Sequence, residues 1–149
     1  MNNIIDKTYL YLTEYLAMDF FGFKHHCPYW SNRMKDGKVS LRGFLNGKGE
    51  AKSIRQELLR LLSENAQSRA IAGNQDNLRL LAKRNRIGID CSGFLYRVWD
   101  FLMKNKFQNC KFSDLDDIFP EGINRTNAKS LTAKKAAVRI NQIKEIQFG

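Results

Sequence analysis

Apolar residues near the start of the chain recur every three or four positions, which is the period of an amphipathic α-helix. Over residues 3–20 these positions are Ile5, Tyr9, Leu12, Leu16 and Phe20. Polar residues such as Thr8 and Glu14 lie between them. The pattern predicts a helix over residues 3–20 that ends near Gly22.

The same spacing predicts three further helices, over residues 50–64, 75–84 and 91–106. In the first of them Ser53 and Gln56 fit a capping box, and Glu50 offers an earlier start. Asp90 opens the last, which is the strongest helix of the chain and ends near Lys106. Its expected apolar face comprises Cys91, Phe94, Leu95, Val98 and Leu102, with Trp99 beside it.

Residues 21–50 interrupt the helical pattern with glycines and aromatic residues. Asp36-Gly37 is typical of a turn, and a short strand is expected around Val39–Leu41. A glycine-containing loop is then expected through Gly47 and Gly49, before the next helix.

The last third of the chain carries weaker signals. One or two helical turns are expected within residues 113–119, ended by Pro120, and a helix over residues 127–140. Residues 143–148 alternate between apolar and polar, which is typical of a strand. So few strands do not form an independent sheet. The sequence therefore predicts a mostly α-helical chain with one or two short strands, and any larger sheet would follow residue 149.

The chain has 149 residues and a formal net charge of +10, which raises the question of an anionic partner. The basic residues are spread along the chain, and no block of five like charges occurs. The densest cluster is Arg79, Lys83, Arg84 and Arg86. It would either complement the C-terminus of a helix or contact phosphates. No motif that reads nucleic acid accompanies it, so the sequence has no strong nucleic-acid signature.

The sequence lacks the patterns of export and of membrane insertion. No signal peptide is recognisable, and no apolar stretch approaches the ~20 residues that span a bilayer. The three cysteines, Cys27, Cys91 and Cys110, are odd in number and lack C-x-x-C spacing, which argues against a zinc knuckle or a disulfide framework. We therefore expect a cytoplasmic protein without a metal or cofactor, with export by another route as the alternative.

The local chemistry is most distinctive at Asp90-Cys91-Ser92-Gly93. Asp90 suits the N-cap of the helix and would place Cys91 in the first turn. Backbone N–H groups and the helix dipole favour a thiolate there, which is the nucleophilic form of cysteine. Gly93 would leave space near the sulfur for a substrate backbone, and first-turn N–H groups would help to hold an oxyanion. The alternative is a buried structural cysteine, since Cys91 lies in line with Phe94 on the apolar face.

The wider string Arg86-Ile87-Gly88-Ile89-Asp90-Cys91-Ser92-Gly93-Phe94-Leu95-Tyr96-Arg97-Val98 resembles the nucleophile motif of the NlpC-type cell-wall cysteine peptidases. Two later segments are similar to parts of the same family. Ile123-Asn124-Arg125-Thr126 resembles its Arg-Thr segment, and residues 143–149 resemble the approach to its Pro-Gly-Asp turn, with Phe148 in place of the proline. The resemblance covers residues 86–149.

This resemblance implies an α+β papain-like fold, in which the nucleophile helix packs on an antiparallel sheet. Cys91 would then attack an amide bond of a peptidoglycan-type peptide, and Asp90 would cap and orient the helix. The family's catalytic His and its orienting residue come from later strands. We therefore expect residues 1–85 to form a helical N-terminal region and residues 86–149 the front part of a peptidase domain, inactive without the downstream His.

Two histidines, His25 and His26, precede the motif and offer an alternative base, since a Cys–His pair depends on spatial proximity rather than sequence order. Permuted relatives carry such a His in a strand. Here the pair precedes Pro28 and an aromatic stretch, which favours a loop packed beside Tyr29. Cys27 and both histidines would form only a weak metal site, because three ligands so close in sequence, with no fourth partner, are a poor tetrahedral set.

The stretch 21–50 also supplies candidates for a substrate groove: Tyr29, Trp30, Arg33 and Arg42. Aromatic and cationic side chains suit a sugar-peptide that bears carboxylates, whereas an ordinary structured loop would tuck the aromatics beneath it. Two rival functions remain beside the peptidase. One is a non-catalytic basic module for an anionic polymer, either cell-wall material or nucleic acid, and the other is a helical interaction domain with a buried cysteine.

Overall fold

The computed structural model describes residues 3–106, 115, 119–120 and 122–132. Their regular structure consists of six α-helices, four short strands and the 3-10 helices Phe44–Gly47 and Ile123–Arg125. The helices are α1 (Ile4–Leu16), α2 (Ala51–Ser63), α3 (Ser68–Ala72), α4 (Gln75–Arg84), α5 (Cys91–Lys106) and α6 (Ala128–Leu131). The strands are β1 (Met18–Phe20), β2 (Phe23–His25), β3 (Arg33–Lys35) and β4 (Lys38–Leu41). They pair as two separate antiparallel hairpins, β1 with β2 and β3 with β4. The prediction of a mostly helical chain with short strands is confirmed, with four strands in place of one or two.

The first helix is shorter than predicted. It ends at Leu16, and residues that were expected to continue it form β1, which turns back at Phe21-Gly22 to pair with β2. The turn is favoured because Gly22 has a φ of 92° and donates its N–H to the Asp19 carboxylate. Met18 and Phe20 are both buried, so the apolar spacing that fits a helix here also fits a strand.

The second hairpin confirms the turn and the strand expected around Val39–Leu41. Asp36 and Gly37 both have positive φ values, 51° and 73°, as a tight hairpin turn requires. The partner strand β3 was not predicted, because all three of its residues are exposed and give no apolar alternation.

Helices α2, α4 and α5 lie where the sequence predicts them, whereas α3 was not predicted. The capping box is wrong: Ser53 lies inside α2, and Glu50 is the residue that precedes the helix. Asn74 caps α4 by accepting the N–H groups of Asp76 and Asn77.

The main core is formed by α1, β1, α2 and α4 together with the segment before α5. Its largest fully buried side chains are Tyr15, Met18, Phe20, Ile54, Leu58, Leu62, Leu78 and Ile87. A second cluster joins Tyr96 of α5 to Leu115, Phe119 and Leu131. Burying these surfaces supplies the main driving force for folding.

The buried side of α5 differs from the predicted apolar face. Tyr11 of α1 stacks on Phe101 at 4.4 Å between ring centroids, and Tyr15 meets Phe94 edge-on at 5.3 Å. Cys91 and Leu95 are exposed, although both were placed on the apolar face. The reason lies in the packing, because α5 contacts the two clusters on different sides, and Cys91 and Leu95 lie between these sides. Val98 and Leu102 of the same predicted face are half-buried.

Several expectations fall outside the described residues. Only Leu115 and Phe119 are described in the expected helical turns at 113–119, and residues 133–149, with the expected strand, are not described. Helix α6 lies within the helix predicted over 127–140. Among the described helices, none combines the length and apolar character needed to cross a membrane.

Candidate functional site

The segment that leads into Cys91 is held between two parts of the 21–50 stretch. Ile89 donates its N–H to the Pro28 carbonyl at 2.9 Å and accepts the N–H of Trp30 at 3.3 Å. On the other side, the N–H of Asp90 donates to the Gly47 carbonyl at 2.8 Å. Short β-bridges pair Ile89 with Tyr29 and with Lys48. The stretch therefore positions the nucleophile segment instead of forming a separate surface loop.

Asp90 caps α5, as the sequence predicts. Its Oδ1 accepts the N–H of Gly93 at 2.6 Å and the hydroxyl of Ser92 at 2.7 Å. The cap satisfies a backbone donor at the start of the helix that has no partner within it. Cys91 consequently lies in the first turn of a helix of 16 residues.

Lys48 is the member of this site that sequence reasoning missed. The residue is 5% exposed, and its Nζ lies 3.1 and 3.2 Å from the two carboxylate oxygens of Asp90 and 2.7 Å from Ser92 Oγ. Arg97 holds the Lys48 backbone by donating Nε to its carbonyl at 3.2 Å. The only signal for Lys48 in the sequence is a lone cation between two glycines, and nothing relates it to a motif 42 residues away.

Gly93 has a different role from the one expected. It is buried, and a Cβ placed on it would lie 2.8 Å from the Gly47 carbonyl oxygen and 3.0 Å from the Lys48 Cα. The missing side chain thus lets α5 approach the segment 47–48 closely, and the space is not available to a substrate backbone.

Cys91 is exposed and opens on a pocket of about 220 Å³. The residues lining this pocket, here called the thiol pocket, are Tyr15, Leu16, His26, Cys27, Tyr29, Ile89, Asp90, Cys91 and Phe94. The alternative of a buried structural cysteine is therefore wrong for Cys91. Burial raises the pKa of the Tyr15 hydroxyl above its ordinary range, so it stays protonated and donates to the Gly49 carbonyl at 3.4 Å.

The second cysteine in the thiol pocket is chemically different from the first. Burial raises the pKa of the Cys27 thiol to about 12. Its Sγ lies 3.6 Å from the Pro28 carbonyl oxygen. Cys27 therefore remains a neutral thiol at neutral pH, and the exposed Cys91 is the better candidate for reaction.

The two histidines have separate environments. His25 lies in β2, not in the loop that was expected, and its Nε2 is 2.6 Å from the Ala72 carbonyl oxygen. His26 is exposed and lines the thiol pocket. Within the described part of the chain no group of three or more His, Cys, Asp or Glu side chains is arranged to hold a metal ion.

Three of the four residues expected in a substrate groove do line one groove. This groove, called the basic groove below, has a volume of about 570 Å³. The residues lining it are Cys27, Pro28, Tyr29, Trp30, Ser31, Arg33, Arg79 and Lys83. Arg42 is not among them, since it donates to the Asn46 side chain at 3.1 Å. Cys27 and Tyr29 line both the basic groove and the thiol pocket, so the two adjoin.

The two aromatic residues of the basic groove are exposed to different degrees. Tyr29 is 67% exposed, whereas Trp30 is 8% exposed and packs against Gly43. Any Cβ on Gly43 would overlap the indole ring of Trp30. Trp30 is thus mainly a wall residue, and Tyr29 is the aromatic surface available to a ligand.

The chain matches no protein-family model, and the searches of curated proteins and of solved structures found nothing significantly similar to it. The residues around Cys91 and the motif that contains it are therefore the features that indicate a function.

Proposed function

We propose that this chain carries the nucleophile of a cysteine peptidase that resembles the NlpC type and hydrolyses an amide bond in a peptidoglycan-type peptide. The observation that carries the proposal is the exposed Cys91 in the first turn of a capped helix, open to the thiol pocket. In this setting the sulfur is accessible to a substrate, and the start of the helix supplies N–H donors that can hold an oxyanion.

In the proposed reaction the base takes the Cys91 proton, and the thiolate attacks the carbonyl carbon of the amide. The protonated base then gives its proton to the nitrogen as the C–N bond breaks, which leaves a thioester and the free amine. Water attacks the thioester, releases the carboxylate and returns the thiol. The Gly93 N–H is occupied by the cap, so the N–H groups nearer the start of α5 are the proposed donors to the oxyanion.

The base in this proposal is the His that follows the nucleophile helix in the family that the motif resembles. The papain-like sheet that would carry it is likewise a proposal, and it follows from the resemblance over residues 86–149. His26 is the alternative base within the described residues because it lines the thiol pocket.

The basic groove supports an anionic substrate. Arg33, Arg79 and Lys83 line it and Tyr29 joins it to the thiol pocket, so a peptide with its amide at Cys91 would extend its carboxylates towards these cations. The same groove favours the second candidate function, a non-catalytic module for an anionic polymer, whose binding would persist in Cys91→Ala.

The peptidase proposal is tested by hydrolysis of purified peptidoglycan peptides with the full-length protein, its Cys91→Ser variant and a Cys27→Ala control. We expect Cys91→Ser to lower the rate at least about a thousandfold, because a hydroxyl replaces the thiolate nucleophile. Cys27→Ala changes the lining of the thiol pocket but keeps the Cys91 nucleophile, so it should retain far more of the rate than Cys91→Ser. Equal rates for wild type and Cys91→Ser would exclude Cys91 as the nucleophile.

A further inference from the structure

The start of α5 presents an electrostatic conflict that the cap itself creates. Asp90 places a carboxylate on the residue next to Cys91, and its Oδ1 is fixed at 2.6 Å from the Gly93 N–H. Asp90 and Cys91 line the same pocket, and a negative charge on the adjacent residue opposes a second negative charge on the sulfur. The cap that orders the helix would therefore disfavour the thiolate unless its charge is balanced.

The balance comes from Lys48. Its side chain is 6% exposed, and its three ammonium donors are matched by three acceptors, namely the two carboxylate oxygens of Asp90 and the hydroxyl oxygen of Ser92. A buried ion pair is retained only where its hydrogen bonds are this complete. Lys48 does not line the thiol pocket, so its effect on Cys91 passes through the Asp90 carboxylate that it holds.

We infer that Lys48 is a positioning residue for Cys91: it neutralises the Asp90 carboxylate and thereby favours the thiolate at the start of α5. The inference rests on the proposed role of Cys91 as nucleophile. Lys48 is itself fixed from two sides, since Arg97 donates to its carbonyl and Gly93 packs against its Cα. Lys48, Asp90 and Ser92 are called the cap cluster below.

Lys48 is the cation that pairs with the Asp90 carboxylate beside Cys91. The titratable side chains facing the thiol pocket are Tyr15 from α1, Asp90 from the start of α5, and His26, Cys27 and Tyr29 from the segment after β2. Tyr15 and Cys27 are held neutral by burial. Lys48 therefore balances the carboxylate that shares the thiol pocket with Cys91.

The test is the rate at which iodoacetamide alkylates Cys91, followed from pH 5 to pH 10 and assigned to Cys91 by peptide mass spectrometry. Alkylation reports the thiolate without needing a base or a substrate. We expect Lys48→Met to react about fivefold more slowly at pH 7, since its Asp90 charge is uncompensated. The difference between the two alkylation rates should vanish at high pH, where Cys91 is a thiolate in both proteins.

A second variant separates charge from structure. In Lys48→Met/Asp90→Asn the amide oxygen still caps Gly93 while the negative charge is gone, so the rate at pH 7 should return towards wild type. Lys52→Met, an exposed lysine of α2, should match wild type throughout. A Lys48→Met rate lowered equally at every pH, or not lowered at all, would overturn the inference.

If Lys48→Met does not fold, the Asp90→Asn variant tests the role of Lys48 by itself. Removing the carboxylate while keeping Lys48 leaves the Lys48 ammonium as an uncompensated cation at the start of α5. The rate of Cys91 alkylation at pH 6 should therefore rise severalfold. An unchanged rate would contradict the inference. These rates are independent of hydrolysis, so a failure of the cap cluster to tune Cys91 is distinguishable from an absence of peptidase activity.

Discussion

The contrast between Cys91 and Cys27 shows how residue environment assigns chemistry within one pocket. Both thiols line the thiol pocket, but Cys91 is exposed at a helix start whereas burial raises the pKa of Cys27 to about 12. Because the folded-state pKa of Cys27 lies above its ordinary value, its neutral form stabilises the fold below about pH 9, and this contribution is lost progressively as the pH rises towards 12.

This contrast predicts selective alkylation of the folded protein. At pH 8, a short treatment with iodoacetamide should label Cys91 and leave Cys27 unlabelled, since only the thiolate reacts and the half-buried Cys27 thiol is protonated. Peptide mass spectrometry gives the extent at each position. Unfolding in guanidinium provides the control, because both cysteines should then react at similar rates. Comparable labelling of Cys27 in the folded protein would contradict the assignment.

At the element scale, the site depends on how closely α5 approaches the segment 47–48. Gly93, Lys48 and the Gly47 carbonyl meet where the helix begins, and the Asp90 N–H donates to that carbonyl. The start of α5 is thereby fixed by backbone contacts, and its middle is fixed on α1 by the Tyr11–Phe101 stack.

The close approach predicts the effect of Gly93→Ala. The added methyl would lie 2.8 Å from the Gly47 carbonyl oxygen, which is backbone and has little freedom to move. We expect the free energy of unfolding to fall by about 2 kcal/mol, as is typical of overpacking a tight contact. Urea denaturation followed by circular dichroism measures it. A fall below about 0.5 kcal/mol, the usual size of a surface effect, would show that α5 and the segment 47–48 are less closely packed.

The elements also show which sequence signals are informative. Helices α2, α4 and α5 were predictable because their apolar residues repeat over ten or more positions. The end of α1 was not, because Leu16, Met18 and Phe20 fit both a helix and a strand. Lys48 was unpredictable for another reason: its partners are 42 and 44 residues away, and one lysine has no periodicity.

At the scale of the whole molecule, the fold shows where part of the net charge of +10 lies, namely in the basic groove. The sequence showed basic residues spread along the chain, and it assigned the cluster with Arg79 and Lys83 either to a helix end or to phosphate contacts. The fold brings these two beside Arg33 in the basic groove, a juxtaposition that depends on long-range packing. Diffuse charge attracts an anionic partner from a distance, whereas three cations in one groove orient it.

The basic groove predicts where an anionic ligand binds, whichever of the two proposed functions holds. Replacing Arg33, Arg79 and Lys83 together with glutamine should weaken binding of an anionic peptidoglycan peptide at low salt by about tenfold or more, as three exposed charge contacts are lost. A matched triple variant, Lys7→Gln/Lys38→Gln/Lys52→Gln, removes the same charge from exposed positions outside the groove. Fluorescence anisotropy at two salt concentrations compares them. Equal weakening by both triples would assign the effect to net charge alone, whereas a loss confined to the groove variant identifies the surface that carries substrate to Cys91.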